Sequence, residues 1–252
     1  MAQGVVIVTG GSRGIGAATA LLLGQRGYSV VVNYAGNAAA AQAVCDSITA
    51  EGGVAVAVQA DVSVEADIDA LFVAADAVGP LVGLVNNAGV VDMAARVDGF
   101  DMARLTRMFA INTFGSMLCA GRAVKRMSTQ YGGQGGGIVN IGSAASKLGS
   151  PGMFVDYAAA KGAIDTFTVG LALEVAGEGI RVNCVRPGII ETDIHASGGD
   201  PERPARMAAS LPMGRTGTAH EVAEAVAWLL SDAASYTTGS VLNVSGGRAL
   251  TP

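Results

Sequence analysis

The alternation of short apolar runs with longer helical patterns constrains the fold of this chain more than any other feature. Seven runs rich in Val, Ile and Leu are separated by segments of helical composition, and their apolar residues are nearly continuous. Such strands joined by helices are typical of a parallel sheet covered on both faces. The predicted strands are Val5–Val8, Ser29–Asn33, Val54–Val58, Leu81–Val85, Gly137–Ile141, Ile180–Val185 and Ser240–Val244.

Length and composition place this sheet in one domain. The chain has 252 residues, half of them hydrophobic, which suits one large α/β domain better than two independent ones. We therefore predict a single α/β domain over residues 1–252, with a doubly wound, parallel seven-stranded sheet and helices on both faces. Its ligands should bind at the carboxyl ends of the strands. The least regular stretch, about 191–213, is predicted to be a substrate loop, because long irregular insertions in compact folds are usually lids or binding loops.

Charge and cysteine content narrow the classes of partner and the compartment. A net charge of -5 argues against nucleic acid as a partner, because phosphate contacts need concentrated Lys and Arg. Three separated cysteines, Cys45, Cys119 and Cys184, indicate reduced thiols in a cytoplasmic protein. No apolar stretch reaches the roughly 18 residues that span a bilayer, so we expect no membrane partner. Neither His195 nor His220 has a partner at metal-ligand spacing, and no metal site is expected.

A glycine-rich turn joins the first predicted strand to the first predicted helix, Ile15–Gln25. It reads Thr9-Gly10-Gly11-Ser12-Arg13-Gly14-Ile15-Gly16. In this context backbone N–H groups and the positive helix end can face a pyrophosphate, while Gly16 permits close packing of helix on sheet. Glycine-rich turns of this kind also occur without a ligand, so the turn alone leaves both readings open. Together with the alternation of strands and helices along the chain, the turn predicts a Rossmann-type domain that binds a dinucleotide.

The end of the second strand bears on which dinucleotide is bound. An acidic residue there would bond the ribose 2′-hydroxyl of NAD and repel the 2′-phosphate of NADP. This chain has Asn33-Tyr34 at that place, and Arg13 in the glycine turn supplies positive charge. The charges favour NADP, and because Asn33 suits either cofactor, NAD stays possible.

Tyr157 and Lys161 are four residues apart at the start of a predicted helix that runs to about Val175. Residues at this spacing share one helix face. A phenol is a weak acid–base group near neutral pH, and we expect the Lys161 ammonium, with a positively charged nicotinamide, to lower the pKa of Tyr157. A solvated lysine beside a core tyrosine is the alternative.

These motifs, in this order, resemble the short-chain dehydrogenase/reductase family. The resemblance rests on the Thr9–Gly16 turn, on Asn86-Asn87-Ala88-Gly89, on Tyr157 with Lys161, and on Pro187-Gly188, and it extends from Val5 to Gly247. The subgroup it most resembles holds 3-oxoacyl-carrier-protein reductases and glucose 1-dehydrogenase-like proteins. Ser245-Gly246-Gly247 departs from the family's commoner Asp-Gly-Gly, which puts one structural contact in doubt.

The resemblance implies roles for individual residues. Ser143, 14 residues before Tyr157, would hold the substrate oxygen, and Asn112 would hold a water that links Lys161 to solvent. Asp61 would lie beside the adenine ring, and the Thr192 hydroxyl would contact the carboxamide and phosphate. The predicted catalytic residues are therefore Asn112, Ser143, Tyr157 and Lys161. The predicted cofactor-binding residues are Gly10, Ser12, Arg13, Gly14, Ile15, Gly16, Asn33, Tyr34, Asp61, Val62, Asn87, Ala88, Gly89, Tyr157, Lys161, Pro187, Gly188, Ile190 and Thr192.

The predicted function is hydride transfer between NADP(H) and a small carbonyl or alcohol substrate, with Tyr157 as the general acid and base. A dinucleotide-binding regulator without activity, and an NAD-dependent sugar or alcohol dehydrogenase, are the alternatives. Ala158–Gly170 and the Ser245–Leu250 tail are rich in small and apolar residues, which favours packing between subunits. The resemblance implies a homotetramer. The sequence does not identify the substrate.

Overall fold

The computed structural model describes residues 3–250, in which seven strands form one sheet with the order β3-β2-β1-β4-β5-β6-β7. All six neighbouring pairs are parallel. The predicted doubly wound, parallel seven-stranded sheet is confirmed. The strands are β1 (Val5–Val8), β2 (Ser29–Tyr34), β3 (Val54–Gln59), β4 (Leu81–Asn86), β5 (Gly136–Ile141), β6 (Ile180–Pro187) and β7 (Val241–Val244).

Strand bounds differ from the prediction by a residue or two, because backbone pairing continues past the apolar runs. Tyr34 pairs with Gln59 at the ends of β2 and β3, and Pro187 pairs with Val244 at the ends of β6 and β7. Apolar patterning predicts neither pair, because three of these four residues lie outside the predicted apolar runs.

Helices cover both faces of the sheet. They are α1 (Gly14–Gln25), α2 (Ala38–Ala50), α3 (Glu65–Val78), α4 (Met102–Phe109), α5 (Gly115–Met127), α6 (Ala145–Leu148), α7 (Val155–Val175), α8 (Ile194–Ser197), α9 (Arg203–Ala208) and α10 (Ala219–Leu230). A π-helical turn, Ala110–Phe114, joins α4 directly to α5. The stretch predicted as an irregular loop at 191–213 contains the two short helices α8 and α9.

Alternate side chains of the interior strand β1 enter two different cores. Val6 and Val8 of β1 belong to the core beneath α1, α2 and α10, while Val5 and Ile7 belong to the core beneath α3, α5 and α7. All four side chains are essentially inaccessible to solvent. Because successive residues of a strand point to opposite faces, a continuous apolar run is what such a doubly covered strand requires.

The order of strands reverses between β1 and β4, which are neighbours although they are far apart in sequence. At such a switch point the loops after the two strands diverge and leave a crevice at their carboxyl ends. The glycine turn follows β1 there, and Asn87 follows β4. Among the described residues, no helix is long and apolar enough to cross a membrane.

Candidate active site

A cleft of about 530 Å³ runs along the carboxyl ends of the strands. All of the predicted site residues line it except Gly16 and Asn112, which lie just behind its wall. The structure thus brings together residues from the glycine turn, the ends of β2 to β6, α7 and the stretch around α8 and α9.

The glycine turn opens α1 with unused backbone donors. Gly10 and Gly14 have φ values of +60° and +54°, a conformation that L side chains adopt at a cost. Arg13 stands at the N-cap position of α1 without capping it through its side chain. The first-turn N–H groups of a helix have no partner within the helix, so here they lack a side-chain cap at the edge of the cleft.

Close packing explains why Gly16 has no side chain. A Cβ at this position would lie 2.3 Å from the carbonyl oxygen of Gly10 and 2.4 Å from Nδ2 of Asn87. That Nδ2 donates hydrogen bonds to the backbone oxygens of Thr9, at 2.9 Å, and Gly10, at 3.0 Å. The Thr9 hydroxyl accepts from the backbone N–H groups of Asn87, at 2.9 Å, and Ala88, at 3.0 Å. These bonds tie the glycine turn to the end of β4.

Asn33, predicted to contact the cofactor, is largely committed to the protein itself. Its side chain is 1% exposed, and its Oδ1 accepts from the N–H of Gly10 at 3.1 Å. Its Nδ2 donates to the backbone oxygens of Ala60, at 2.9 Å, and Val58, at 3.3 Å. Asn33 therefore fixes the glycine turn to the end of β3, while its neighbour Tyr34 lines the same end of the cleft.

Two further features shape the ends of the cleft. The carboxylate of Asp61 accepts hydrogen bonds from the N–H and hydroxyl of Ser63, which fixes the loop after β3. A Cβ on Gly188 would lie 2.7 Å from the backbone oxygen of Ser245. Ser245, which stands where the family more often has Asp, thus contacts the Pro187-Gly188 turn through its own backbone. The Ser245 hydroxyl accepts a hydrogen bond from the N–H of Ala249 at 3.2 Å.

Tyr157, Lys161 and Ser143 lie together at the other end of the cleft. Tyr157 and Lys161 are both on the first two turns of α7, and the Lys161 Nζ is 5.8 Å from the centre of the Tyr157 ring. The Lys161 ammonium donates a 2.8 Å hydrogen bond to the backbone oxygen of Ile141 at the end of β5. The Ser143 hydroxyl accepts from the N–H of Ala145 at 3.1 Å, and the Ser143 side chain acts on the Tyr157 phenol, whose pKa it lowers.

The pKa of Tyr157 differs from the expectation. Desolvation at the bottom of the cleft raises the pKa of the phenol, and this effect outweighs the hydrogen bond with Ser143 and the positive charge of Arg203, which both lower it. Lys161 is not among the groups that shift the pKa of this phenol, and its ammonium is hydrogen-bonded to Ile141. Burial lowers the pKa of Lys161 itself to about 8, although the nearby Cys184 and Asp165 oppose this.

Asn112 lies in the π-helical turn between α4 and α5 and is fully buried. Its Oδ1 accepts from the N–H of Val90 at 3.1 Å, and its Nδ2 donates to the oxygens of Val90, at 3.0 Å, and Met108, at 2.9 Å. A Cβ on Gly89 would lie 2.8 Å from the Asn112 Oδ1 and 3.6 Å from the Lys161 Nζ. Gly89 therefore leaves a small space that both groups border.

Sequence reasoning missed an ion pair behind Lys161. Asp165, one turn further along α7, accepts from Arg186 Nε at 3.0 Å and from its NH2 at 2.8 Å. The Cys184 thiol lies 3.5 Å from the same carboxylate, and burial raises the pKa of this thiol to about 12. The spacing of Asp165 from Lys161 was a signal in the sequence, but Arg186 is brought to Asp165 only by the packing of α7 on β6.

A second ion pair, also missed, holds the start of α7. Arg104 of α4 donates to Asp156 at 2.7 Å, and both side chains are almost inaccessible to solvent. Asp156 also accepts from the backbone N–H of Tyr157 at 2.9 Å. This pair therefore fixes the backbone that carries the tyrosine.

Arg203 and His195 complete the wall near Tyr157. Both line the cleft, and the His195 Nε2 lies 2.9 Å from the backbone oxygen of Ile190. They belong to the stretch 191–213 that was predicted as a substrate loop, although its irregular sequence did not identify either residue as a site residue. Within residues 3–250, no group of three His, Cys, Asp or Glu side chains is arranged to hold a metal ion.

Comparisons with known proteins match almost the whole chain. A family model described as enoyl-(acyl carrier protein) reductase matches residues 10–249. The uncharacterized oxidoreductase YgfF of Escherichia coli (strain K12) is 56% identical, over 97% of this chain and 99% of that protein. A 3-oxoacyl-(acyl-carrier-protein) reductase of Synechocystis is 39% identical, over 98% of this chain and 97% of that protein.

A solved structure gives the same result for the fold. A mutant of a Serratia marcescens short-chain dehydrogenase/reductase superposes with a TM-score of 0.90 at 32% sequence identity, covering 98% of both chains. Fold, cleft and sequence matches agree, and the chain belongs to the short-chain dehydrogenase/reductase family of oxidoreductase enzymes.

Proposed function

We propose that this enzyme transfers a hydride between NADP(H) and a small carbonyl or alcohol substrate, with Tyr157 as the general acid and base. One observation carries the proposal. A tyrosine, a serine and a lysine converge at one end of a cleft whose other end is a glycine turn with uncapped helix N–H groups.

The backbone of the cleft, as well as its side chains, is suited to binding a dinucleotide. Gly10 and Gly14 hold the conformation that turns the backbone toward the cleft, and Gly16 allows α1 to approach the sheet. We assign the pyrophosphate to this turn, the adenine to the side of Asp61 and Val62, and the nicotinamide to the side of Pro187 and Ile190. The remaining predicted cofactor residues keep the roles that the family resemblance gives them.

The preference for NADP rests on charge. At the end of β2 the cleft is lined by Asn33, Tyr34 and the neutral residues up to Asn37, with the exposed Arg13 across the turn. A 2′-phosphate would meet a cation there, and the nearest lining carboxylate, Asp61, is held by Ser63. Because the side chain of Asn33 is buried, we infer that it affects cofactor binding indirectly, by holding the glycine turn in position.

Proton transfer falls to Tyr157. When bound, the nicotinamide supplies the hydride for reduction and accepts it for oxidation. The raised pKa of Tyr157 keeps the phenol protonated near neutral pH, so that it can donate to the substrate oxygen during reduction. Ser143, which lines the same end of the cleft, would hold the same oxygen as negative charge develops on it.

Lys161 and Asn112 form the path that would return a proton to Tyr157. The space beside Gly89 is bordered by the Lys161 ammonium and the Asn112 Oδ1, which has accepted one hydrogen bond and can accept another. A water in that space would link the two groups. Lys161, with its pKa near 8, exchanges protons readily in the neutral range.

We also propose a cytoplasmic homotetramer. The three cysteines are free and buried, as expected for a protein that does not use disulfides. Helix α7 leaves Val169 and Leu173 exposed one turn apart, and Phe114 is exposed on the π-helical turn. An apolar face of this kind is suited to a second subunit.

Steady-state kinetics test the proposal. The purified enzyme is assayed with NADPH and NADH against short oxoesters, diketones, quinones and sugars, and Tyr157→Phe is compared with Tyr131→Phe, an exposed tyrosine outside the cleft. We expect Tyr157→Phe to lower kcat by about 10²–10⁴-fold and Tyr131→Phe to leave it unchanged. Wild-type turnover by Tyr157→Phe would contradict the assignment.

The same assay separates the rival functions. A regulator would bind NADPH, but it would not oxidise NADPH with any carbonyl compound of the panel. An NAD-dependent sugar or alcohol dehydrogenase would show a larger kcat/KM for NAD than for NADP with such a substrate.

A further inference from the structure

An arginine lies beside the proposed reaction centre without a role in it. Arg203 is the first residue of α9, and its guanidinium carbon lies 5.4 Å from the centre of the Phe154 ring. Phe154 directly precedes α7, three residues before Tyr157, and both residues line the cleft together with Arg203. The positive charge of Arg203 also acts on the Tyr157 phenol. Arg203 is therefore at the substrate end of the cleft, away from the glycine turn.

The charge of Arg203 is not neutralised by a close carboxylate. Within the described part of the chain, no carboxylate oxygen lies within 4.0 Å of its guanidinium. Asp200, which also lines the cleft, instead binds Arg206 through both of its oxygens. Asp193, a further lining residue, is exposed.

The surroundings of Arg203 disfavour its charged form. Arg203 is only partly exposed, and burial lowers its pKa, as does the positive charge of Arg248, another residue of the cleft wall. A partly desolvated cation without a close counter-charge is stabilised when an anion binds beside it.

Several neighbours of Arg203 in this wall are apolar or neutral. Gly198 lies close to Phe154 and Val91, which form apolar wall. The His195 ring is fixed to the Ile190 oxygen; a carbonyl only accepts, so its Nε2 carries the proton. Burial lowers the pKa of His195, and Arg203 acts in the same direction, so this histidine is neutral at pH 7.

We propose that the physiological substrate carries an anionic group, a carboxylate or a phosphate monoester, which binds Arg203 while its carbonyl faces Tyr157 and Ser143. The substrate class is thus oxo acids or oxo phosphates, or the corresponding hydroxy compounds. This inference rests on the proposed function, because it assumes that the reacting oxygen meets Tyr157. A planar guanidinium matches either anion with two parallel hydrogen bonds.

Matched substrates and a binding probe test this site. The first arm compares kcat/KM for oxo carboxylates of increasing chain length with that for their methyl esters, and includes an oxo phosphate. The second arm measures binding of butanoate and inorganic phosphate to the enzyme loaded with NADP, by calorimetry, which needs no turnover. Both arms use the wild type, Arg203→Met, Arg203→Lys and Arg96→Met. Met keeps the apolar stem over Phe154, and Arg96 is an exposed arginine outside the cleft.

We expect the acid or phosphate to exceed its neutral counterpart about tenfold or more in kcat/KM, and Arg203→Met to remove this preference, so that its kcat/KM for the acid falls to that for the methyl ester. Arg203→Lys should keep part of the preference, and Arg96→Met all of it. Butanoate or phosphate binding should be lost in Arg203→Met alone. The preferred anion distinguishes a carboxylate site from a phosphate site.

Three outcomes would overturn the inference. Equal turnover of acids and esters would leave the proposed function intact and remove the anion site. A raised KM for NADPH in Arg203→Met, with the acid preference kept, would assign Arg203 to the cofactor instead. Binding of butanoate and phosphate that is unaffected by Arg203→Met would place any anion elsewhere. If no carbonyl compound is reduced while NADP binds, the proposed function fails, and the calorimetry still decides the anion site.

Discussion

Replacing Gly16 by alanine tests how the glycine turn is built. A Cβ there would lie 2.3 Å from the Gly10 oxygen and 2.4 Å from the Asn87 Nδ2, and these two atoms are hydrogen-bonded to each other. Both are held from behind, the first by the backbone of the turn and the second by its bond to Thr9. The methyl group therefore cannot be accommodated by the movement of one flexible side chain.

The expected loss follows from these contacts. Two hydrogen bonds of Asn87 are stretched or broken, at about 1 kcal/mol each, and overpacking adds about 1–3 kcal/mol. Alanine recovers about 1 kcal/mol, because it favours a helix more than glycine does. The net loss is about 2–4 kcal/mol, which for a domain of this size lowers the thermal midpoint by about 10 °C.

The matched control is Gly24→Ala in the same helix. A Cβ at Gly24 would lie 2.7 Å from the Cγ2 of Ile48, a side-chain atom that can shift, and no cofactor contact is near it. Thermal unfolding is followed at one protein concentration, because assembly makes the midpoint depend on concentration. NADPH affinity is measured by fluorescence titration.

We expect Gly16→Ala to weaken NADPH binding at least about tenfold, since the displaced turn presents the N–H groups that face the pyrophosphate. Gly24→Ala should keep the affinity. A Gly16→Ala protein with unchanged NADPH affinity and a midpoint within about 2 °C of the wild type would refute this account of the turn.

Three other substitutions address the remaining parts of the site. Lys161→Met should stabilise the fold by about 2 kcal/mol at pH 7. The lowered pKa of Lys161 means that its charge costs the folded state about 3 kcal/mol below pH 8, and loss of the hydrogen bond to Ile141 offsets about 1 kcal/mol of the gain. This gain should fade between pH 8 and 10.5, where the unfolded lysine still binds a proton and the folded one does not; a constant gain in denaturant titrations would contradict it. Asn33→Asp places a carboxylate oxygen against the oxygens of Val58 and Ala60, so it should destabilise the fold by about 3 kcal/mol. Its negative charge at the end of β2 should also weaken the preference for NADPH over NADH; an unchanged preference would contradict the charge argument. Arg104→Met leaves Asp156 buried without its partner and should destabilise the fold by about 3–5 kcal/mol, measured as a shift in denaturation midpoint; a change below about 1 kcal/mol would mean that the charge finds another partner.

The sequence predicts the sheet well because the relevant signals are local. A strand buried on both faces must be apolar throughout, as in Val5–Val8, and a helix places Tyr157 and Lys161 on one face whatever surrounds them. Ser143 was found through the resemblance, and in the structure it lines the same cleft as Tyr157.

Other parts of the site depend on contacts between distant segments. Asn33 reads as a cofactor residue because it ends β2, yet its direction is set by Gly10 and Ala60, which only the assembled sheet brings near. The expectation that Lys161 lowers the pKa of Tyr157 considered charge and not desolvation, which is the larger effect. Arg203 lies in a stretch without periodicity, where only the folded chain reveals its neighbours.

The π-helical turn at Ala110–Phe114 has a consequence for how this gene can change. Such a turn holds one residue more than a regular helix needs between α4 and α5. Deleting one residue from it would yield a more regular helix, and would rotate everything on one side of the deletion by about 100° relative to the other. Asn112 would then lose either Met108 or the Val90 loop. Substitutions in this helix leave the register between α4 and α5 unchanged. A deletion of one residue would make the helix more regular, but it would move Asn112 out of its place in the site.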